Sequence, residues 1–464
     1  MESVRIELPR GAANIICVLK AHGFEGFVVG GCVRDALLGR TPSDWDITTS
    51  AAPGQVKALF RHTVDTGIAH GTVTVLIEGE AFEVTTYRID GEYEDARHPS
   101  CVTFTPSLSE DLKRRDFTIN AMAYSPEGGL VDLFDGVGDL ERGIVRCVGD
   151  AKERFSEDAL RIMRAVRFAA QLGFSLDPGT RAAAERLAGT LSRISAERIR
   201  DELVKLICSD QPGMMDTARL TGITGVVLPE FDRLFTIPLT EDKNAGEHTL
   251  QTMENIREQD PEKRRLLRLT MLLHDIGKTE IQPVLRAPAS GQKNEGTLKP
   301  AGAEYAYPGH AQRSAVMAEA VLRRLKEDNE TIRVVTRLIR YHTDLPDRES
   351  AQVRRLMRDV GKDLFPLWLQ VKEADILAGS PGRCTGKLEK LARTESMYRK
   401  AVSDRDPIVT ADLAVTGRDL IADGMKPGKL MGTVLAALLD EVLEDPSRNE
   451  KAYLIGRSRS LRQA

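Results

Sequence analysis

Aromatic residues are scarce in this chain, 5% of 464, while 29% of its residues are charged. That balance suits a helix-rich soluble protein. No apolar run approaches the ~20 residues that a helix needs to span a bilayer, so no membrane association is expected. The N-terminal MESVRIELPR also lacks the apolar core of a signal peptide, and a cytoplasmic location follows as the expectation. The six cysteines (Cys17, Cys32, Cys101, Cys147, Cys208 and Cys384) are scattered and include no Cys-x-x-Cys pair. They read as reduced, buried small residues rather than as a disulfide framework. A large excess of charge of one sign is missing too: 65 Lys and Arg stand against 69 Asp and Glu. Any affinity for RNA must therefore come from local basic patches. The length exceeds one ordinary core and implies roughly two to four domains.

What is present concentrates first in residues 26–49, GFVVGGCVRDALLGRTPSDWDITT. A strand, a glycine turn, a short helix and a second strand bring two aspartates back beside the turn. On an extended segment Asp44 and Asp46 point to the same face, and as hard oxygen donors they suit Mg²⁺ completed by substrate phosphate. Gly30 and Gly31 let backbone and the following helix N-terminus approach an anion closely. Before this stretch, Ile15, Ile16, Val18 and Leu19 give residues 1–25 an amphipathic helix that ends at His22-Gly23. After it, GTVTVLIEG and EAFEVTTYR alternate as a hairpin turning at Gly79-Glu80. Phe82, Val84 and Thr86 share one face there, Glu83 and Thr85 the other, which makes Glu83 a candidate third acid. Residues 88–110 read as a long polar loop. Arg114, Arg115, Asp116 and Asn120 then crowd into LKRRDFTINAMA.

From Glu153 onward the periodicity is helical. RFSEDALRIMRAVRFAAQLGF carries an apolar stripe of Ala159, Ile162, Met163, Val166, Ala169 and Ala170. Asp158, Arg161, Arg164 and Arg167 recur every third position. On one continuous helix of about 100° per residue this ribbon drifts by about 60° per step. Asp158 and Arg161 then share one ligand edge, whereas Arg167 does not reach the same atoms. A second constellation holds half of the eight histidines: His248, the adjacent His274-Asp275 in LLHDIGK, His310 and His342, followed by Asp375. Imidazoles with carboxylates suit a divalent transition metal, and an adjacent His-Asp can hold one ion or bridge two. Residues 287–309, rich in Gly, Pro and Lys, read as a mobile loop between these helices. Near the end, Gly424 to Gly428 form a turn before a helix from Leu430 to Leu443.

GGCVRD followed by DWDITTS resembles the nucleotidyltransferase superfamily that includes DNA polymerase β, and specifically class II, the family of tRNA nucleotidyltransferases and bacterial poly(A) polymerases. RRDFTINAMA, EDALRIMRAVRF and ISAERIRDELVKL are similar to its further motifs, and LLHDIGK with the histidine order resembles the HD phosphohydrolase superfamily. The resemblance implies an α+β fold: a polymerase-β-like head with a small mixed sheet over 1–147, then all-α neck and body over 148–240, an HD domain over 241–382 and a helical, RNA-binding tail over 383–464. It implies addition of C, C and A to the 3′ end of tRNA from CTP and ATP, without a nucleic-acid template. Asp44 and Asp46 would hold two Mg²⁺; Gly31, Arg34 and Arg115 would place the triphosphate or sugar. Asp158 and Arg161 would select the base, assisted by Arg164 and Arg167, with Arg167 better phased for phosphate or RNA. His248, His274, Asp275, His310, His342 and Asp375 would bind the transition metals of a phosphohydrolase site. Within the family, an A-adding tRNA nucleotidyltransferase or a poly(A) polymerase stays open. From another class, so does an HD phosphohydrolase whose N-terminal half binds RNA.

Overall fold

The computed structural model describes residues 5–91, 102–286, 304–379 and 381–462. The chain divides into two units, Met1–Pro229 and Glu230–Ala464.

The first unit begins with helix α1 (Arg10–Ala21), which buries Ile15, Ile16 and Leu19 against the sheet. It ends where the expected His22-Gly23 stop lies, with Gly23 at φ +81°. Strand β1 (Gly26–Val29), helix α2 (Gly31–Leu37) and strand β2 (Ile47–Thr49) follow, then β3 (Thr63–Gly67), β4 (Thr72–Ile77) and β5 (Glu80–Thr86). With β6 (Met122–Ser125) and β7 (Gly129–Asp132) they form a seven-stranded mixed sheet of order β3-β4-β5-β2-β1-β6-β7. Its core holds Val28, Ile47, Val73, Val75 and Val84, all without solvent exposure. Within this sheet only β2 and β5 pair in parallel, with Ile47 opposite Val84. That register sets Asp46, just before β2, beside Glu83.

The β4–β5 turn falls one residue earlier than the expected Gly79-Glu80. Ile77 pairs with Glu80, so Glu78 (φ +52°) and Gly79 (φ +87°) form the turn. Both central residues of such a two-residue hairpin need positive φ, which favours the position that glycine can occupy freely. The expected loop at 88–110 is more ordered at its ends than its polarity implied. Arg88–Asp90 pairs with Val102–Phe104, and Leu108–Lys113 is a short helix, α3, capped by Ser107. The alternating Arg-Ile-Asp and Val-Thr-Phe triplets suit a ribbon; residues 92–101, including Cys101, lie outside the described residues.

The continuous helix expected through Asp158 is instead two helices, α4 (Ala151–Glu157) and α5 (Leu160–Leu172). Asp158 sits at the break with extended backbone, φ −136° and ψ 105°, and its carboxylate accepts the Leu160 N–H at 3.0 Å. An aspartate competes with helical hydrogen bonding and favours a cap over an interior position. The three-residue phase therefore relates Arg161, Arg164 and Arg167 to one another but not to Asp158. Helix α6 (Ala196–Ile207) packs on α5 and buries Ile199, Glu202, Leu203 and Leu206.

The second unit is built mainly of helices. Helix α7 (Ala245–Asn255), opened by an Asn244/Glu247 capping box, carries His248. Helix α8 (Pro261–Leu273) ends at His274-Asp275. Helix α9 starts at His310 (His310–Arg324), α10 (Asn329–Tyr341) ends at His342, and α11 (Phe365–Leu377) carries Asp375. Of the loop expected at 287–309, residues 287–303 lie outside the described residues, while Glu304–Ala306 pairs with Val284–Arg286. Helix α12 (Lys429–Glu444) follows Gly428 as expected, and a last described helix spans Lys451–Leu461. Among the described residues, no helix is long and apolar enough to cross a membrane.

Candidate functional site

In the first unit three carboxylates share one open face. Asp44, Asp46 and Glu83 are exposed, and the backbone carbonyl of Asp46 is fixed to the Val29 N–H at 3.0 Å. The Asp46 carboxyl is raised to about 6. Displacement of water by surrounding protein is the largest cause, repulsion from Asp44 and Glu83 adds to it, and the Arg115 cation opposes it. Acids crowded in this way favour a divalent cation between them, and all-oxygen donors fit Mg²⁺. The structure thus brings Glu83 to the pair that the sequence picked out.

The glycine turn faces this cluster. Gly30 has φ +82°, and a Cβ there would stand 3.1 Å from the Arg115 guanidinium. Its N–H is spent on the Met122 carbonyl, so anion contact falls to Gly31 and the residues after it. Arg115 donates to Asp111 at 3.3 Å, and its buried Nε has no partner. Asp111 is fully buried and also accepts from Arg114 and, at 3.1 Å, from Thr48 on β2. Burial alone would raise its carboxyl, but the Arg115 and Arg114 cations hold it below the ordinary value. Arg34 grips Asp35 at 2.8 and 2.9 Å and Asn120 at 2.7 Å.

Asn120 passes the connection on. Its amide donates to Asp116 at 3.2 Å, which receives Arg164 at 2.8 and 2.6 Å. Against the effect of burial, the Arg164 cation and its hydrogen bond hold Asp116 down at about 2. Arg167 is 6% exposed, donating to Glu202 at 2.5 Å and Gln171 at 2.6 Å. Its guanidinium also lies 3.7 Å over the Phe168 ring. Arg161 donates to Glu157 at 2.5 Å and to the carbonyls of Arg154 and Arg114. Asp158 faces Arg198, which donates at 2.8 and 3.4 Å. Sequence reasoning passed over Glu202, Arg198 and Asp111. For Glu202 a signal existed: in ERIRDELVKL it lies on the buried stripe of Ile199, Leu203 and Leu206, where a carboxylate requires a cationic partner.

The second unit gathers all six of its expected residues. Asp275 is the hub: its Oδ2 lies 3.3 Å from His274 Nε2 and 3.9 Å from His248 Nε2, its Oδ1 3.3 Å from His310 Nε2 and 3.7 Å from His342 Nε2. His248 Nε2 stands 3.1 Å from Asp375. Each ring faces a backbone carbonyl through Nδ1: His248 to Ala378 at 3.1 Å, and His274, His310 and His342 to Met271, Tyr307 and Ile339 at 2.7 Å. A carbonyl only accepts, so Nδ1 carries the proton and a neutral ring turns the Nε2 lone pair inward. Two such lone pairs, on His310 and His342, stand 3.2 Å apart. His274 Nε2 and Asp275 Oδ1 are buried without a hydrogen bond. Convergent lone pairs and orphaned acceptors are what a metal would complete, and the His/Asp set fits a transition ion. Two groups, His248/His274/Asp375 and His274/Asp275/His342, hold their ligand atoms within 4.8 Å of one another. Lys278 (2.5 Å from Asp275) and Lys372 (2.6 Å from the His342 carbonyl) are two buried cations that sequence reasoning did not assign. Gly277 permits the close approach of α9, since a Cβ there would lie 2.8 Å from the His310 carbonyl.

Residues 26–146 match the family model described as "Poly A polymerase head domain". Residues 173–235 match "Probable RNA and SrmB- binding site of polymerase A", and 310–456 match a model for tRNA nucleotidyltransferase domain 2. The CCA-adding enzyme of Levilactobacillus brevis is 35% identical over 447 residues, 96% of each chain. The chain belongs to the CCA-adding enzyme family. The CCA-adding enzyme of Lactiplantibacillus plantarum is 49% identical over 236 residues, where the chain spans about half of that relative, 56% of its length. Among solved structures, the Bacillus stearothermophilus CCA-adding enzyme in complex with CTP superposes with a TM-score of 0.71 at 31% identity over 98% of both chains. That likeness of fold extends through both units, and a CCA-adding enzyme from Thermotoga maritima, complexed with tRNA, shares the fold at 20% identity and a TM-score of 0.58.

Proposed function

We propose that the protein adds C, C and A to the 3′ end of tRNA, using CTP and ATP, at the carboxylate cluster of the first unit. The observation that carries this is Asp46, raised to about 6 within a group of three acids, beside an arginine whose buried Nε is unspent. Asp44 and Asp46 would hold Mg²⁺, with Glu83 as a third acid. Once bound, Mg²⁺ supplies Lewis acidity for the attacking 3′-hydroxyl and the departing pyrophosphate. Arg115, beside Gly30, and Arg34, beside Gly31, orient the triphosphate for in-line attack at the α-phosphate. The Asn120–Asp116–Arg164 chain holds Arg34 in that position. Asp158 accepts from the exocyclic amine of C or A, and Arg161 donates to ring nitrogen or carbonyl acceptors, assisted by Arg164; Arg167 supports the helix from within. Each buried hydrogen bond left unmade by G or U costs about 1–3 kcal/mol. In this reading the head covers 1–147, the neck and body 148–240 and an RNA-binding tail 383–464, in a cytoplasmic tRNA-processing enzyme.

A second activity resides in 241–382, as an HD phosphohydrolase. The inward lone pairs of four imidazoles around Asp275 favour it. A divalent transition metal there supplies an activated water and charge neutralisation for a phosphate ester. Lys278 and Lys372 set the positions of Asp275 and Asp375.

The decisive experiment offers tRNA ending at the discriminator base, at C and at CC, with CTP and ATP supplied separately. Addition of CMP to the first two and AMP to the third is expected. AMP addition alone would instead mark an A-adding enzyme, untemplated AMP tracts a poly(A) polymerase, and no addition an RNA-binding half serving the phosphohydrolase.

A further inference from the structure

Asp158 stands outside both helices, so nothing in helical geometry fixes its side chain. Its carboxylate torsion is broad and roughly two-fold, and the Leu160 N–H at 3.0 Å holds only Oδ1. A carboxylate held by one oxygen can still turn about that contact. Arg198 removes the freedom. From the first turn of α6 it reaches Oδ2 with NH2 at 2.8 Å and Oδ1 with NH1 at 3.4 Å. Helix α6 is itself seated on α5 through Ile199, Leu203 and Leu206 and through the buried Glu202–Arg167 pair. The fork therefore refers the Asp158 carboxylate to the same helix that carries Arg161.

We propose that Arg198 is a specificity-determining positioning residue, which fixes the plane of the Asp158 carboxylate so that its remaining lone pairs meet the exocyclic amine of the incoming base. The inference rests on the reading of Asp158 as a base-selecting group. Two features separate it from a plain helix staple. The pair is partly open, with side chains 16% and 25% exposed, so the carboxylate keeps a face for a ligand while its other edge is occupied. The fork also leaves Arg161 to Glu157 and two carbonyls, so the acceptor and the donor of the reading pair are oriented by separate partners. A guanidinium achieves this through two parallel donors, which neither an amide nor an ammonium reproduces. With the carboxylate fixed, the amine of cytosine is accepted and the O4 carbonyl of uracil meets lone pairs. With it free to turn, water or a rotated oxygen relieves that repulsion.

The test uses the full chain and tRNA lacking its CCA end. It measures kcat/KM for CTP and for UTP in Arg198→Gln, Arg198→Lys and Asp158→Ala, with Tm for each. The preference for CTP should fall about tenfold in Arg198→Gln and by less in Arg198→Lys, which retains charge without a fork. Combining Arg198→Gln with Asp158→Ala should cause no loss of preference beyond that of Asp158→Ala. A lower Tm with an unchanged CTP-to-UTP ratio in Arg198→Gln, while Asp158→Ala loses preference, would overturn the role of Arg198 alone. An unchanged ratio in Asp158→Ala would overturn the reading of Asp158 and this inference with it. Should Arg198→Gln fail to fold, the ratio in Arg198→Lys decides: reduced preference supports the proposal and unaltered preference overturns it.

Discussion

The two units solve opposite problems with acidic side chains. In the first, Asp44, Asp46 and Glu83 are exposed, and the carboxyl of Asp46 is raised to about 6, chiefly by loss of water around it and further by repulsion from Asp44 and Glu83. In the second, Asp275 is fully buried among histidines and Lys278, and its carboxyl lies well below the ordinary value because its neighbours His274 and Lys278 outweigh burial. Burial also drives His342 well below the ordinary imidazole value, and His274 and His310 add to that effect. An open cluster of oxygen donors leaves positions around an ion for water or phosphate, whereas a buried cage of imidazoles fixes its donors in advance. The ligand chemistry and the burial agree in each case: Mg²⁺ retains water and shares ligands with phosphate, while imidazole sites favour softer ions and fixed geometry.

The sharpest way to break this contrast is Asp44→Ala. Incorporation of labelled CMP into tRNA lacking its CCA should fall by about a thousandfold or more, and normal incorporation would remove the cluster from the chemistry. Next in size, His274→Ala should abolish Mn²⁺ retention by the second unit, read as bound metal after gel filtration, along with any metal-dependent phosphodiesterase activity. CMP incorporation in that variant should stay within about twofold of the parent; simultaneous loss of both activities would mean that the sites do not work independently. Smaller again, Arg161→Ala should relax discrimination against UTP and GTP by about tenfold, and selectivity equal to the parent's would take Arg161 out of base reading.

The smallest effect concerns stability. Asp116 has a carboxyl lowered from 3.8 to about 2 in the folded chain. Its stabilising contribution is therefore fully present above about pH 4 and lost as pH falls towards 2. The size is about 2 kcal/mol. Urea unfolding of Asp116→Asn should show a shallower acid limb across that window, and a limb superimposable on the parent's would show that the Arg164 contact contributes nothing.

Much of both sites could be read from the chain, and the exceptions share a cause. Asp44 and Asp46 were legible because two residues of extended backbone place them side by side, and LLHDIGK because a helix end carries His274 and Asp275 together. The Glu78-Gly79 turn was misplaced by one residue because alternation fixes faces but not which residues carry positive φ. The break at Asp158 escaped because the surrounding apolar stripe continues at helical period through it, while a single side-chain cap decides the backbone. Arg198 was missed because its partner lies 40 residues away; Asp111 has local partners in Arg114 and Arg115, but its contact with Thr48 spans 63 residues. No local pattern records such a pairing.

The sequence by itself determined which chemistry is available: hard carboxylates at 44 and 46, a basic helix at 161–167, and imidazoles with aspartates from 248 to 375. Those follow from residue type and short-range spacing, which bond geometry converts directly into direction. Only the tertiary structure decided which charges are already spent. It ties Asp158 to Arg198, Arg161 to Glu157 and Arg167 to Glu202, and leaves Arg115 Nε without a hydrogen bond and the Nε2 of His274 with only the Asp275 carboxylate at 3.3 Å. Coulomb energy and hydrogen bonding depend on separations of a few ångströms between distant segments, and packing alone sets those separations.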